Sequence, residues 1–165
     1  MTESSFSMQR FHHSIYLDKP VEEIYKLIGT ASGLSKWFMG ETVYESPEGE
    51  KRKYDDYIHK GDEFQWQWLE KDLSITGHVL QAEQNSCFKF TFGNSFIVTI
   101  TVKEDNGRTL FTLMQEYSEN AKQNDFAHIN CCVCWGFFIT NLKSVSEFGN
   151  DLRETLSDNE ELVNR

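Results

Sequence analysis

The sequence predicts an α+β domain, with a curved antiparallel sheet lying against one long helix. Three observations lead there. Runs of strict apolar–polar alternation fill the middle of the chain. One long stretch near the C-terminus, Ala127 to Gly149, follows helical periodicity. The two kinds of segment are separated along the chain rather than interleaved as in βαβ units.

The elements follow in order. FHHSIYLD, Phe11 to Asp18, alternates and is rich in aromatic and β-branched residues, so it reads as a first strand. DKPVEEIYKLIG opens a short helix: Asp18 offers a cap, Pro20 suits the first turn, and Glu22 and Glu23 complement the positive end of the dipole. Val21, Ile24, Tyr25 and Ile28 fall at helical spacing, and Gly29 ends the element. Thr30 to Phe38 reads as a second short helix, capped by Thr30 or Ser32, with Leu34, Trp37 and Phe38 on its apolar side.

A strand-rich middle comes next. In DEFQWQWLE, Phe64, Trp66 and Trp68 share one face and Glu63, Gln65 and Gln67 the other. SITGHVLQAE is a weaker strand. CFKFTF alternates again, placing Phe88, Phe90 and Phe92 together. FIVTITVKEDNGRTLFTLMQEY is the clearest hairpin, with Asp105-Asn106-Gly107 at its turn. Phe96, Val98, Ile100 and Val102 share a face, as do Phe111, Leu113, Gln115 and Tyr117. On the C-terminal helix, His128, Cys131, Trp135, Phe138, Leu142 and Val145 fall within one arc. Asn141, Lys143, Ser144 and Glu147 point away from it, and Phe137 on the far side offers a contact surface. The chain divides into an N-terminal tail at 1–10, one domain at 11–150, and an acidic tail or short exposed helix at 151–165.

Composition limits the partners. The 165 residues suit one domain. Aromatic residues make up 14%, with 13 Phe, which implies a ring-filled core or an apolar pocket. A net charge of −10, with Lys51-Arg52-Lys53 as the one short basic run, argues against nucleic acid and anionic membranes. The polar N-terminus does not read as a signal peptide, and no apolar run suggests stable membrane insertion, so the expected location is cytoplasmic, with reduced thiols.

HINCCVC raises the question of metal or redox chemistry. His128, Cys131 and Cys134 lie on one continuous helix, and His128 and Cys134 diverge by about 120° around its axis. A tetrahedral site draws convergent ligands, normally from loops or two elements, and a redox pair sits at a helix N-terminus. The cysteines therefore read as packing residues, with no metal and no cofactor expected.

Taken together, LSKWF, TGHVLQAEQNSCFKFTF, the hairpin, and CCVCWGFFITNLKSVSEFGNDLR resemble the START-like (SRPBCC) superfamily. Within it, the chain is most similar to the activator of Hsp90 ATPase homologue (AHSA1-like) family, in which a Trp in the last helix precedes an apolar residue and NLK. Here these are Trp135, Phe138 and Asn141-Leu142-Lys143, and the likeness runs from about Phe11 to Arg153. The turn EQNSC lacks the Pro common in that family. The co-chaperone that names the family carries a further N-terminal domain, for which this chain is expected to have no room.

The resemblance implies a helix-grip (START/Bet v1-like) fold with a cavity between sheet and helix, and binding of a small apolar ligand, lipid-like or polyketide-like. The expected lining is Trp37, Phe38, Trp66, Trp68, Phe90, Phe92, Phe111, Leu113, Gln115, His128, Trp135 and Phe138, with Gln115 and His128 available to orient a ligand. Two alternatives stand beside it. One is a co-chaperone-like factor acting on the Hsp90 ATPase, which rests on the resemblance. The other is a cavity enzyme, a cyclase or hydrolase, drawing on His78, His128, Glu116 or Tyr117. No catalytic residue is assigned, because no nucleophile elbow, phosphate loop or HExxH is present. Phe137 and the edge strands offer surface for a homodimer.

Overall fold

The computed structural model describes residues 5–69, 72–156, 159 and 161–164. Seven antiparallel strands form one sheet in the order β1-β7-β6-β5-β4-β3-β2. They are β1 (Arg10–Leu17), β2 (Thr42–Glu45), β3 (Glu63–Gln67), β4 (Ser74–Glu83), β5 (Cys87–Phe92), β6 (Phe96–Asp105) and β7 (Arg108–Tyr117). The helices α1 (Val21–Ile28) and α2 (Ala31–Leu34) carry the chain from one sheet edge to the other, and α3 (Asp125–Phe148) lies across the concave face. This is the helix-grip arrangement.

Alternation decides what enters the core. Register sets Phe11 beside Gln115, Gln115 beside Val98, Val98 beside Phe90, and Phe90 beside Val79, so one row of side chains crosses the sheet. A register shift between Val79 and Gln81 bends β4 at the end of that row. Asn106 and Gly107 both take positive φ in the β6–β7 turn, as a tight hairpin requires. At Gly77 a Cβ would lie 2.4 Å from the Phe64 ring, so the β3–β4 pair packs only with glycine there.

The structure departs from the sequence reading in several places. Asp18 does not cap α1; Pro20 holds that position, and Asp18 pairs instead with Arg108 at 2.6 Å. A proline ring fixes φ near the value a helix start needs, so a side-chain acceptor is dispensable. The strand β2 went unread because four residues are too short to show a period. Thr30 does cap α2, accepting from the Gly33 N–H, and Gly149 closes α3 in the left-handed region. The N-terminal segment folds back, with the Ser5 carbonyl accepting from the His12 N–H.

Asn141 is the clearest correction, because it points inward rather than away. It is fully buried, donates to the Trp37 carbonyl at 2.8 Å and to Asp151 at 3.0 Å, and accepts from the Leu152 N–H at 2.8 Å. The chain beyond α3 returns over that flank of the helix and turns an outward position into an inward one. Truncation by Asn141→Ala strands a buried carbonyl and a part-buried N–H. It should cost about 2–3 kcal/mol, read from the midpoint of urea unfolding.

Candidate functional site

The space between sheet and helix is filled by rings. Phe38, in the turn after α2, meets Trp37, Trp66, Trp68, Phe92, Trp135 and Phe138 with centroids 4.6 to 6.4 Å apart. Of the twelve expected lining residues, Trp37, Phe38, Trp66, Phe90, Phe111, Leu113, Gln115, His128 and Trp135 are buried against one another or their neighbours. Trp68, Phe92 and Phe138 are half-buried and pack on that cluster. Trp68 lies one residue past the end of β3 and keeps the parity of Phe64 and Trp66.

Open volume survives at one end. A pocket of about 170 Å³ is lined by Phe38, Trp68, Leu69, Leu73, Cys134 and Phe138, with Arg153, Glu154 and Asn164 of the C-terminal segment across it. Only three of its lining residues, Phe38, Trp68 and Phe138, belong to the expected set. Leu69 and Leu73 sit in a β3–β4 connection with no period to betray them. The C-terminal residues read as an acidic tail, because their anchoring depends on backbone carbonyls that sequence does not advertise.

That anchoring centres on Arg153. Its guanidinium donates to the Met39 and Ser35 carbonyls at 2.8 and 2.9 Å and is paired with Asp151 at 2.7 Å. Asn164 donates to the Leu152 carbonyl at 2.7 Å, which folds the segment back on itself. Burial alone would raise the Asp151 carboxyl, but hydrogen bonds from Arg153 and Asn141 outweigh it and hold the group below its ordinary value. The pocket therefore has mainly apolar walls, one cation already neutralised by its own neighbours, and Glu154 across it.

The polar groups deeper in the core are only partly paired within the fold, and Gln115 Nε2 and His128 Nδ1 are buried with no hydrogen-bond partner among the described residues. Trp135 Nε1 donates to Gln115 Oε1 at 2.9 Å, and His128 Nε2 donates to the Ser7 carbonyl at 2.8 Å. Tyr117 stacks on His128 with centroids 5.4 Å apart, and Tyr117 Oη accepts from the Asn124 N–H. His78 lies on the outer face of β4, 3.7 Å from Glu63, so it does not converge with His128 and Tyr117. None of the four cysteines is in a disulfide, and among the described residues no group of three His, Cys, Asp or Glu is placed to hold a metal. Burial pushes up the Cys87, Cys131 and Cys132 thiols, with Gln115 opposing the effect at Cys131.

The family model described as "Activator of Hsp90 ATPase homolog 1-like protein" matches residues 18–147. No curated protein matches the sequence. Among solved structures, protein SSP2350 from Staphylococcus saprophyticus superposes with a TM-score of 0.69 at 16% identity, covering 88% of this chain and 97% of its own. The Aha1 dimer from Colwellia psychrerythraea, solved in solution, gives 0.64 at 17% identity, covering 86% and 98%. DynU16, a protein in the dynemicin biosynthetic locus, gives 0.67 at 14% identity, and the match covers 87% of this chain and 49% of that one. At these identities the likeness is one of fold. Among the described residues, no helix is long and apolar enough to cross a membrane.

Two outcomes are expected from the site. A soluble alkylating reagent at neutral pH should modify exposed Cys134 well before the other three thiols, as peptide mass mapping would show. The Asp151 carboxyl, lowered from 3.8, contributes stability above that value that disappears as pH falls through its folded one. The urea midpoint of the wild type should therefore exceed that of Asp151→Asn at pH 7, and the gap should close below about pH 4.

Proposed function

The chain belongs to the activator of Hsp90 ATPase homologue 1-like family, and on that premise we propose that it binds a small, neutral, apolar molecule at the open end of the sheet–helix interface. The observation that carries the reading is the pocket among Phe38, Trp68, Leu73 and Phe138. Its walls are carbon-rich, and its guanidinium is committed to Asp151 and two carbonyls, so an anionic ligand would find no unspent counter-charge there. A volume of about 170 Å³ matches a single ring, since a cavity of about 150 Å³ takes up benzene. A larger lipid-like or polyketide-like ligand must displace the segment around Arg153. Action on the Hsp90 ATPase rests on the family name alone. The dimeric state in the description of the Colwellia neighbour supports a homodimer for this chain as well.

Titration with a panel of neutral one- and two-ring compounds, followed by NMR, tests the reading. One-ring compounds should shift the indole signal of Trp68 and the amide of Leu73 in a saturable way. Cys134→Trp, which fills the pocket from an exposed position, should weaken that binding at least tenfold. A panel that leaves those signals unmoved sinks the proposal.

A further inference from the structure

The side of α3 turned away from the sheet carries a pattern that ligand binding does not use. Half a turn from Trp135, which packs inward, lie Phe126, Asn130, Val133, Phe137, Thr140, Ser144 and Phe148. None is charged, in a chain of net charge −10. Phe126 is 81% exposed, Val133 65% and Phe148 76%, and Ile129 on the flank adds 47%. A Cβ placed on Gly136 beside them would meet nothing within 4 Å, so another backbone can come close there. Large apolar side chains left in water along one helix face mark a contact surface.

The spacing of that face says what covers it. Its residues from Phe126 to Ser144 are separated by four, three, four, three and four positions, the seam of a two-helix coiled coil. The residue types also read alike from either end: Phe, a polar group, a β-branched residue, Phe137 at the centre, then β-branched, polar and Phe again. In an isologous contact each half meets the other half of an identical copy, so this pattern sets apolar against apolar and polar against polar at both ends. We propose that this face of α3 is a homodimer seam, in which two copies pack antiparallel about Phe137. Phe126 then faces Phe148 of the partner, and Asn130 faces Ser144. The helix dipoles oppose, and the seam is the place where two strongly acidic chains meet with least repulsion. A membrane surface is the poorer occupant, since interfacial helices carry Lys and Arg on their polar face and anionic lipids repel an acidic chain. The inference deepens the dimer reading above by assigning its surface, and it does not depend on the pocket.

A helix of 24 residues is about 36 Å long, which puts the contact at the small end of stable interfaces and makes the dimer reversible. Sedimentation equilibrium across a concentration series reads it. The wild type should move from one chain to two as concentration rises. Val133→Glu should remain at one chain with an unchanged melting temperature, since that side chain is exposed. Asn130→Glu should weaken the dimer, and adding Ser144→Lys to the same chain should restore it, which antiparallel pairing alone explains. A wild type that stays monomeric at its highest soluble concentration overturns both the dimer and the seam. A dimer that survives Val133→Glu overturns the seam and leaves the dimer standing. A double variant no tighter than Asn130→Glu alone overturns the antiparallel register.

Discussion

Everything else in this fold accommodates the position of one ring, Phe38. It stands between β3, β5 and α3 and touches six other aromatic side chains. Rings in such contact favour tilted and edge-on arrangements and leave little free volume. Its delivery depends on α1 and α2: Thr30 caps α2, Trp37 Nε1 donates to the Leu27 carbonyl at 2.7 Å, and Asn141 takes the carbonyl of Trp37. The two short helices therefore work as a clamp that inserts a wedge between sheet and helix. With the wedge in place, the interior is closed and the remaining space lies at its outer edge.

Polar residues in this core fix how the layers meet. A hydrophobic surface slides easily, whereas a buried amide left unpaired is costly. Gln115 in the middle of β7 engages Trp135, which sets the rotation of α3 against the sheet. One helix turn and a half further on, Asn141 fixes α3 to the turn carrying Trp37 and to the chain beyond the helix. At the other end His128 holds the N-terminal segment through the Ser7 carbonyl. At the β3 edge, buried Asp62 receives Arg52 through two hydrogen bonds, at 2.8 and 2.9 Å, and tethers the long β2–β3 connection. Three points along α3 thus define a single docking of the helix.

The fold was largely legible in the sequence. Alternation in DEFQWQWLE, CFKFTF and the hairpin after Ser95 announced four strands with the correct inward faces, because each buries one side only. β2 escaped because four residues carry no period, and Asp18 misled because an acceptor before a helix resembles a cap whether or not it is used. Asn141 escaped for a deeper reason. A helical wheel assumes one buried side, and the segment after Gly149 adds a second. The candidate site was less legible, since alternation tells which rings point inward but not whether they meet. Phe38, Trp68 and Phe138 reach the pocket, while Phe111 and Leu113 are spent on the core.

Charge bears in the same way on the two candidate surfaces. The chain carries a net charge of −10, which keeps most of its exterior repulsive toward another copy. Two regions escape that repulsion, by different means. At the pocket, Arg153 is neutralised locally by Asp151 and buried against carbonyls, so its role is to hold the C-terminal segment in place rather than to attract an anion. Along the outer side of α3 charge is absent altogether, and Phe126, Val133 and Phe148 stay in water. The same helix presents both regions from adjacent faces, since Cys134 borders the pocket and Val133 lies in the exposed row. Anchored through Gln115, the Trp37 carbonyl and the Ser7 carbonyl, α3 holds Phe138 beside the pocket and Val133 in water from one docked position.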